Sequence, residues 1–544
     1  MADPLEISAL TLNCWGLKYI SALRTERLAE IGRRIALLAA PSSSPTPSPS
    51  SSLPAEAPLS IVALQECWCY EDFSTIHNLT RHALPYAKFF HSGVWGAGLA
   101  VLSRWPITQT TMTPYSLNGR PTAFWRGDWF VGKGLASATV RVSDLTTLEV
   151  LVTHTHAPYE GGQPDDSYLL HQLSQTWEVG KRIRAAAERG RLVLAMGDFN
   201  MTPDSLPYKT LFLGTGNGQE GLSGNTSSMS SGAGSSSFTL HDSWRDLHPN
   251  ASLGAANHPL EQARQRQLAA SSPTVPTAAY NLEENGAASD NVLNTWRWPK
   301  DKQKRLHKFY RQRQQLHQQK GSGTGADVDL EAEFTVPPDT PDPRAKRLDY
   351  VFHASPALAG SSNPVWSTKA ARVEMVDRHP TLGCSVSDHY AVAVTLTRVS
   401  ESGAEPNSSS VGIDSSVNVS NPHAAMVATT LTTFDALLAE SDKYMLREQK
   451  QRYWRGVHFF VSVAVVVGCL VAVWFVPRNF VAFLLTLLST LGLATGVVDG
   501  LMALLFFGSE IRYIKEFHWE ISNAKAAATG SAHVAPSSSH TEDK

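Results

Sequence analysis

The chain has 544 residues but only five cysteines: Cys14, Cys67, Cys69, Cys384 and Cys469. An odd, scattered set excludes a disulfide framework, and Cys67 with Cys69 lacks the second pair that a thiolate zinc site needs. A basic excess is missing too. Lys+Arg 47 against Asp+Glu 49 leaves a net charge of −2, without the positive face of a nucleic-acid-binding enzyme, so no nucleic acid partner is expected. The opening stretch MADPLEISAL has no basic flank before an apolar run, and no cleaved targeting peptide is expected. A nucleotide P-loop is also excluded. Gly127, four residues and Gly132-Lys133 imitate one, but Gly134 stands where Ser or Thr must hold magnesium.

What the chain does have is a series of apolar runs that end in, precede or contain polar residues. Residues 5–12 alternate as a strand and reach Asn13, and residues 59–65 form a second run closed by Glu66. Residues 149–153 deliver His154, and residues 192–196 stop at Gly197-Asp198-Phe199-Asn200. An extended segment points alternate side chains the same way, so Asp198 and Asn200 can face one reacting centre; the competing reading is a polar turn. The run 347–352 contains Asp349, and Asp388-His389 precede the run 391–396. A carboxylate inside an apolar strand is costly without a partner, so Asp349 needs a cation to satisfy it. Residues 98–103 form a further strand whose Ser103 is either a phosphate contact or a turn residue. Helical spacing recurs at 24–40 and 167–189. The alternation of the two patterns predicts one layered α/β domain whose strand ends share a rim.

The residue types at that rim suit hydrolysis of a phosphate ester. Mg²⁺ takes hard oxygen ligands, which Glu66 and Asn13 offer, and phosphoryl transfer needs a base for water and charge stabilisation. Around this core the composition breaks into segments. Residues 41–58 are Ser/Pro-rich and 214–237 Gly/Ser-rich, and both are expected to be disordered insertions. The basic run 300–320 reads as a solvated helix face or a contact for anionic lipid. A linker at 400–423 leads to an amphipathic helix at 424–456, a two-helix transmembrane hairpin at 457–508 and a tail at 509–544. Basic residues on both flanks of the hairpin place them, and the catalytic domain of residues 1–399, in the cytosol. Asp499 lies within the second span and is expected to be paired or near the interface.

The series Asn13, Leu64-Gln65-Glu66, Thr153-His154, Gly197-Asp198-Phe199-Asn200, Arg347-Leu348-Asp349-Tyr350 and Ser387-Asp388-His389 resembles the endonuclease/exonuclease/phosphatase superfamily. Asn13-Cys14-Trp15-Gly16, Gln65-Glu66-Cys67-Trp68, His154-Thr155-His156-Ala157 and the segment 120–134 resemble its neutral sphingomyelinase branch, and most closely the fungal inositol phosphosphingolipid phospholipases C. The resemblance implies a deoxyribonuclease I-like four-layer α/β sandwich. It also implies Glu66 as principal Mg²⁺ ligand with Asn13 and Asp388 nearby, and His389 as general base oriented by Asp349. Asp198 and Asn200 would position water and phosphate, and His154 would stabilise the phosphate or protonate the leaving oxygen. Asp128 and Lys133 fall in a segment that such enzymes use for activation by anionic phospholipid. The implied reaction is Mg²⁺-dependent hydrolysis of a sphingolipid phosphodiester to ceramide and a phosphorylated head group, at the endoplasmic reticulum or another internal membrane. Another phosphoesterase of the same fold and a non-catalytic membrane scaffold are the alternatives.

Overall fold

The computed structural model describes residues 4–41, 57–159, 166–203, 205–216, 238–252, 275–320, 333–356, 365–399 and 422–530. Most of the two expected insertions and nearly all of the linker lie outside these residues. The described chain separates into two units, residues 1–158 with 175–418, and residues 159–174 with 419–544.

The first unit is built on two six-stranded sheets. Strands β1 (Glu6–Asn13), β2 (Ile61–Gln65), β3 (Tyr86–Phe89) and β4 (Ala100–Ser103) begin one sheet. Strands β5 (Ile107–Pro114), β6 (Gly134–Arg141), β7 (Thr147–His154), β8 (Leu192–Asp198), β9 (Leu240–Asp242) and β10 (Asp349–Ala354) make the other. Strands β11 (Val365–Glu374) and β12 (Ala391–Val399) return to the first, giving the orders β11-β12-β1-β2-β4-β3 and β5-β6-β7-β8-β10-β9. Alternation decides the layering. Ile7, Ala9, Ile61, Ala63 and Val101 of one sheet meet Ala138, Val150, Val152, Leu194 and Met196 of the other in a shared core. The opposite faces bury Leu10, Leu12, Val62 and Leu64 under helices α1 (Arg24–Ala39) and α2 (Tyr70–Thr80), and Leu151, Val193 and Phe352 under the helices Leu169–Glu188 and Leu206–Gly214. The result is the helix–sheet–sheet–helix sandwich.

Several boundaries differ from the sequence reading. Asp349 is the first residue of β10, not an interior one, which relieves the cost of a carboxylate within the strand. Ser103 is fully buried and its hydroxyl donates to the Trp105 carbonyl at 2.8 Å, so it is a turn residue and not a phosphate contact.

In the second unit a single helix, Pro422–Val473, runs through the stretch read as an amphipathic helix and into the first span, with Gly456 inside it. The hairpin continues as Asn479–Leu501, a short π segment Met502–Phe506 and Phe507–Ala528. Only 11% of the apolar stretch of each long helix is buried, so these are not the covered core helices of a globular domain. Asp499 is paired: it accepts from Arg455 and from His458 Nδ1 at 2.7 Å.

Candidate active site

Strand register alone brings the polar ends together. Asn13 ends β1 beside Gln65 at the end of β2, and Glu66 follows immediately. In the second sheet Asp198, the last residue of β8, pairs with His154 at the end of β7 and with Asp349 at the start of antiparallel β10. Because the sheets pack face to face, the two sets share one rim. Asn13 Nδ2 donates at 3.0 Å to Glu66 Oε1 and at 3.0 Å to Asp198 Oδ2, one amide joining the carboxylates of both sheets.

The backbone bends sharply to achieve this. Glu66 and Asn200 have left-handed φ of 52° and 47°, conformations that cost about 1–3 kcal/mol each and persist only where surroundings enforce them. Gly16 donates its N–H to the Glu66 carbonyl at 2.9 Å, and a Cβ there would sit 2.5 Å from that oxygen, so the turn after β1 requires glycine. Gly197 is required for the same reason, since a Cβ would overlap the Thr153 carbonyl of β7.

Asp349 Oδ2 accepts from His389 Nδ1 at 2.8 Å, which leaves Nε2 facing Asp198 Oδ2 at 3.9 Å. That 2.8 Å contact is a hydrogen bond, so Asp349 and His389 are paired, and with Asp198 they also form a group whose ligand atoms lie within 4.8 Å of one another. His154 Nε2 lies 3.6 Å from Asp198 Oδ2. Lys133 Nζ spends its three protons on Asp128 Oδ1 at 2.9 Å, the Thr155 carbonyl at 2.9 Å and His154 Nε2 at 3.3 Å. Since the ammonium donates to Nε2, the imidazole proton resides on Nδ1, a buried atom with no partner among the described residues.

The protonation pattern follows from burial and charge. Burial, with the like charge of Asp388, pushes the Glu66 carboxyl up to about 7. Asp388 is likewise raised by burial, although His389 and Arg27 oppose the shift. Burial also acts on Asp198, but His389, His154 and the hydrogen bonds from Asn13 and Asn200 outweigh it and hold this carboxyl below its ordinary value. Burial and then Lys133 push His154 down to about 3, so it is a neutral donor at physiological pH. Burial is overcome at His389, where Asp349, Asp198 and Asp388 hold the imidazole well above its usual value. Glu66, Asp388 and Asp198 form an oxygen-rich set in which carboxylates repel one another, and this donor chemistry fits a hard divalent cation; the Asn13 amide turns Nδ2 toward Glu66 and Asp198, while its Oδ1 accepts from the Trp15 N–H at 3.0 Å.

Asn13, Glu66, His154, Asp198, Asp349, Asp388 and His389 thus converge. Asn200 joins through its backbone, its N–H donating to Asp198 Oδ1 at 2.9 Å, while its side chain donates to the Thr155 carbonyl at 3.1 Å. Asp128 and Lys133 are not on the surface: each is 5% exposed, and they brace His154 from within. Arg27 was not anticipated. Fully buried, it donates to the carbonyls of Ala22, Cys14, Trp15 and Val386, tying the loop after Asn13 to the segment before Asp388. Its signal was a cation at i, i+4 and i+8 register with Ile31 and Ile35 on the apolar side of α1. Asn294, whose amide donates to the Ser387 carbonyl at 2.9 Å, had no such signal.

Comparison with known proteins agrees with this arrangement. The profile of the Endonuclease/Exonuclease/phosphatase family matches residues 10–389. The chain is 30% identical over 523 residues to an inositol phosphosphingolipids phospholipase C of Schizosaccharomyces pombe, covering 96% of this chain and 94% of the relative. It is also 30% identical over 528 residues to the Saccharomyces cerevisiae protein of the same name, covering 95% and 90%. Sphingomyelin phosphodiesterase 2 of Rattus norvegicus is 32% identical over 202 residues, covering 37% of this chain and 43% of that protein. With the family's profile spanning both sheets and every rim residue from Asn13 to His389, the chain belongs to the endonuclease/exonuclease/phosphatase family.

Proposed function

We propose that this phosphodiesterase is a Mg²⁺-dependent phospholipase C that hydrolyses sphingolipids, releasing ceramide and a phosphorylated head group. The observation that carries the chemistry is the Asn13 amide held 3.0 Å from both Glu66 and Asp198, because it fixes the carboxylate at the end of one sheet against the carboxylate at the end of the other, beside His154 and His389. The substrate class is supported by the activities named for relatives that span over nine-tenths of the chain, and by two helices apolar enough to cross a bilayer.

In this reading Glu66, with Asn13 and Asp388, holds the cation. When bound, the cation supplies Lewis-acid charge for the phosphoryl oxygens and offsets the carboxylates around His389. His389 takes a proton from water through Nε2 as the water oxygen bonds to phosphorus, while Asp349 fixes the tautomer through Nδ1; the bond between phosphorus and the ceramide oxygen breaks, and that oxygen takes up a proton from solvent. Asp198, anchored by Asn13 and the Asn200 N–H, orients that water. His154, whose Nε2 faces Asp198 and takes a hydrogen bond from Lys133, lines the phosphate end of the site as a neutral imidazole pushed down to about 3, not as an imidazolium acid. The catalytic domain at 1–399 is proposed to face the cytosol, with anionic phospholipid as activator.

The test is purified full-length protein assayed side by side on inositol phosphoceramide and sphingomyelin, with and without Mg²⁺. Release of ceramide from either, dependent on the ion, supports the reading. Free phosphate as product, or turnover indifferent to a chelator, contradicts it.

A further inference from the structure

An exposed aromatic ridge on the first unit has no role in the site just described. Val94, Trp95, Phe124, Trp125 and Trp129 are 72%, 54%, 66%, 71% and 39% exposed. They come from two loops that are locked together. The N–H groups of Val94 and Trp95 both donate to the Phe130 carbonyl, at 2.8 and 3.1 Å, and Ser92 Oγ donates to the Gly132 carbonyl at 2.7 Å. Gly93 and Gly132 touch so closely that a Cβ on Gly93 would lie 2.6 Å from the Gly132 nitrogen. Trp95 stacks on Phe130 with centroids 5.0 Å apart, and Phe130 meets Trp129 edge-on at 5.0 Å. A rigid backbone therefore presents large rings outward, although a soluble surface gains nothing by exposing them.

Charge narrows the choice of partner. Between positions 115 and 133 the chain has three basic residues, Arg120, Arg126 and Lys133, and one acid, Asp128, which is buried against Lys133. Neither of the two loops, among the described residues, exposes a carboxylate that a phosphate-rich surface would repel. Arg120 and Lys133 are buried, which leaves the half-buried Arg126 as the cation beside the rings; Trp and Phe are the rings of the bilayer headgroup zone, where an amphipathic ring rests with its apolar body in acyl chains. The chain also carries two helices apolar enough to cross a membrane, so it brings its own lipid surface within reach.

We propose that Val94, Trp95, Phe124, Trp125 and Trp129 are a lipid-insertion ridge that docks the catalytic unit onto the bilayer interface, as a contact separate from the apolar helices. The inference rests on the lipid-substrate reading. It adds a mechanical consequence: the short helix α3 (Asp128–Val131) carries Trp129 on the ridge and Asp128 inward against Lys133, which donates to His154. Insertion and the brace behind His154 are thus parts of one segment.

The experiment uses full-length protein in phosphatidylcholine–phosphatidylserine vesicles, comparing wild type with a Trp95→Ala/Phe124→Ala/Trp125→Ala variant. Turnover of bilayer-borne inositol phosphoceramide or sphingomyelin should fall about ten- to a hundred-fold, with turnover of a short-chain monomeric analogue unchanged. Equal bilayer turnover, or parallel loss on both substrates, overturns the proposal. Independently of any turnover, the tryptophan fluorescence that the variant lacks should be quenched by vesicles with brominated acyl chains. Absence of that quenching overturns the ridge even if hydrolysis is confirmed. Failure of wild type on both substrates, with the quenching present, refutes the substrate class and leaves the ridge standing. A change in oligomeric state of the detergent-solubilised variant would assign the ridge to a second copy and overturn the lipid assignment.

Discussion

The two sheets end at the same rim but in opposite electrostatic conditions. At the end of the first, Glu66 and Asp388 are both raised by burial and by neighbouring negative charge, and both remain short of a cation despite Arg27 behind them. At the end of the second, Asp198 sits among His389, His154 and two N–H donors and is held ionised. One edge needs an ion from outside; the other supplies its own positive charge and donors. In the proposed mechanism this division would let a single phosphodiester meet a cation on one flank and proton-handling groups on the other; the Asn13 amide joins the flanks.

Removing the element common to both edges should have the largest effect. Asp198→Ala strips a partner from Asn13, His154 and His389 at once, and kcat should fall by at least about 10³-fold, as for groups that orient reactants and stabilise developing charge. His389→Ala should fall as far. Far-ultraviolet circular dichroism and vesicle flotation should be unchanged in both. Substantial turnover by either variant would remove the basis for the division.

The next test separates the edges. Glu66→Gln should weaken Mg²⁺ about 10- to 100-fold in a metal titration while near-saturating Mg²⁺ restores part of kcat. The pH dependence has a definite sign. Glu66 is raised to about 7, so the wild-type apparent Mg²⁺ affinity should rise as pH goes from about 6 to about 8, because the carboxyl must lose its proton to bind. Without metal the linkage runs the other way: a folded-state pKa above the unfolded value stabilises at low pH, and that contribution is lost as pH rises through about 7. Chelated protein should therefore melt at a lower temperature at pH about 8 than at about 6.5, and Mg²⁺ should reverse the difference.

The same division explains what was legible beforehand. Asn13, Glu66, His154, Asp198 and Asp349 stand at the ends of central strands, whose near-continuous apolar runs mark where the chain must leave the core. The strands that escaped notice were chiefly edges, β3, β5, β9 and β11, which bury little and keep no alternation; ITQTTMTP of β5 is the plainest case. The small residues of central β6, GLASATVR, gave equally little contrast. In the site, Asp128 and Lys133 were found, but their inward direction depends on the Gly93–Gly132 contact between loops distant in sequence. Asn294 is placed by a segment with no periodic pattern, and no local signal tied it to Ser387.

A smaller effect is expected at Asp349. Asparagine preserves shape but removes the charge that holds the His389 proton on Nδ1 and its pKa high. For Asp349→Asn, kcat should fall by about 10²-fold with KM little changed, and the acid limb of the pH–rate profile should move to lower pH. A merely structural role would not move that limb.

The smallest effect is expected behind the first edge, at Arg27. Its Nε and both Nη atoms donate to four carbonyls, from Ala22, Cys14, Trp15 and Val386, at 2.7–3.3 Å. Arg27→Lys keeps the charge near Asp388 but loses the planar fork, so the loop after Asn13 and the segment before Asp388 are no longer tied at a fixed separation. The consequence should fall on the oxygen donors and not on the Asp349–His389 pair. Apparent Mg²⁺ affinity should drop a few-fold, about 1 kcal/mol, while the acid limb governed by His389 stays in place. An acid limb that moved with Arg27→Lys would show the two edges to be one coupled system, and the division between cation-binding and proton-handling halves would have to be given up.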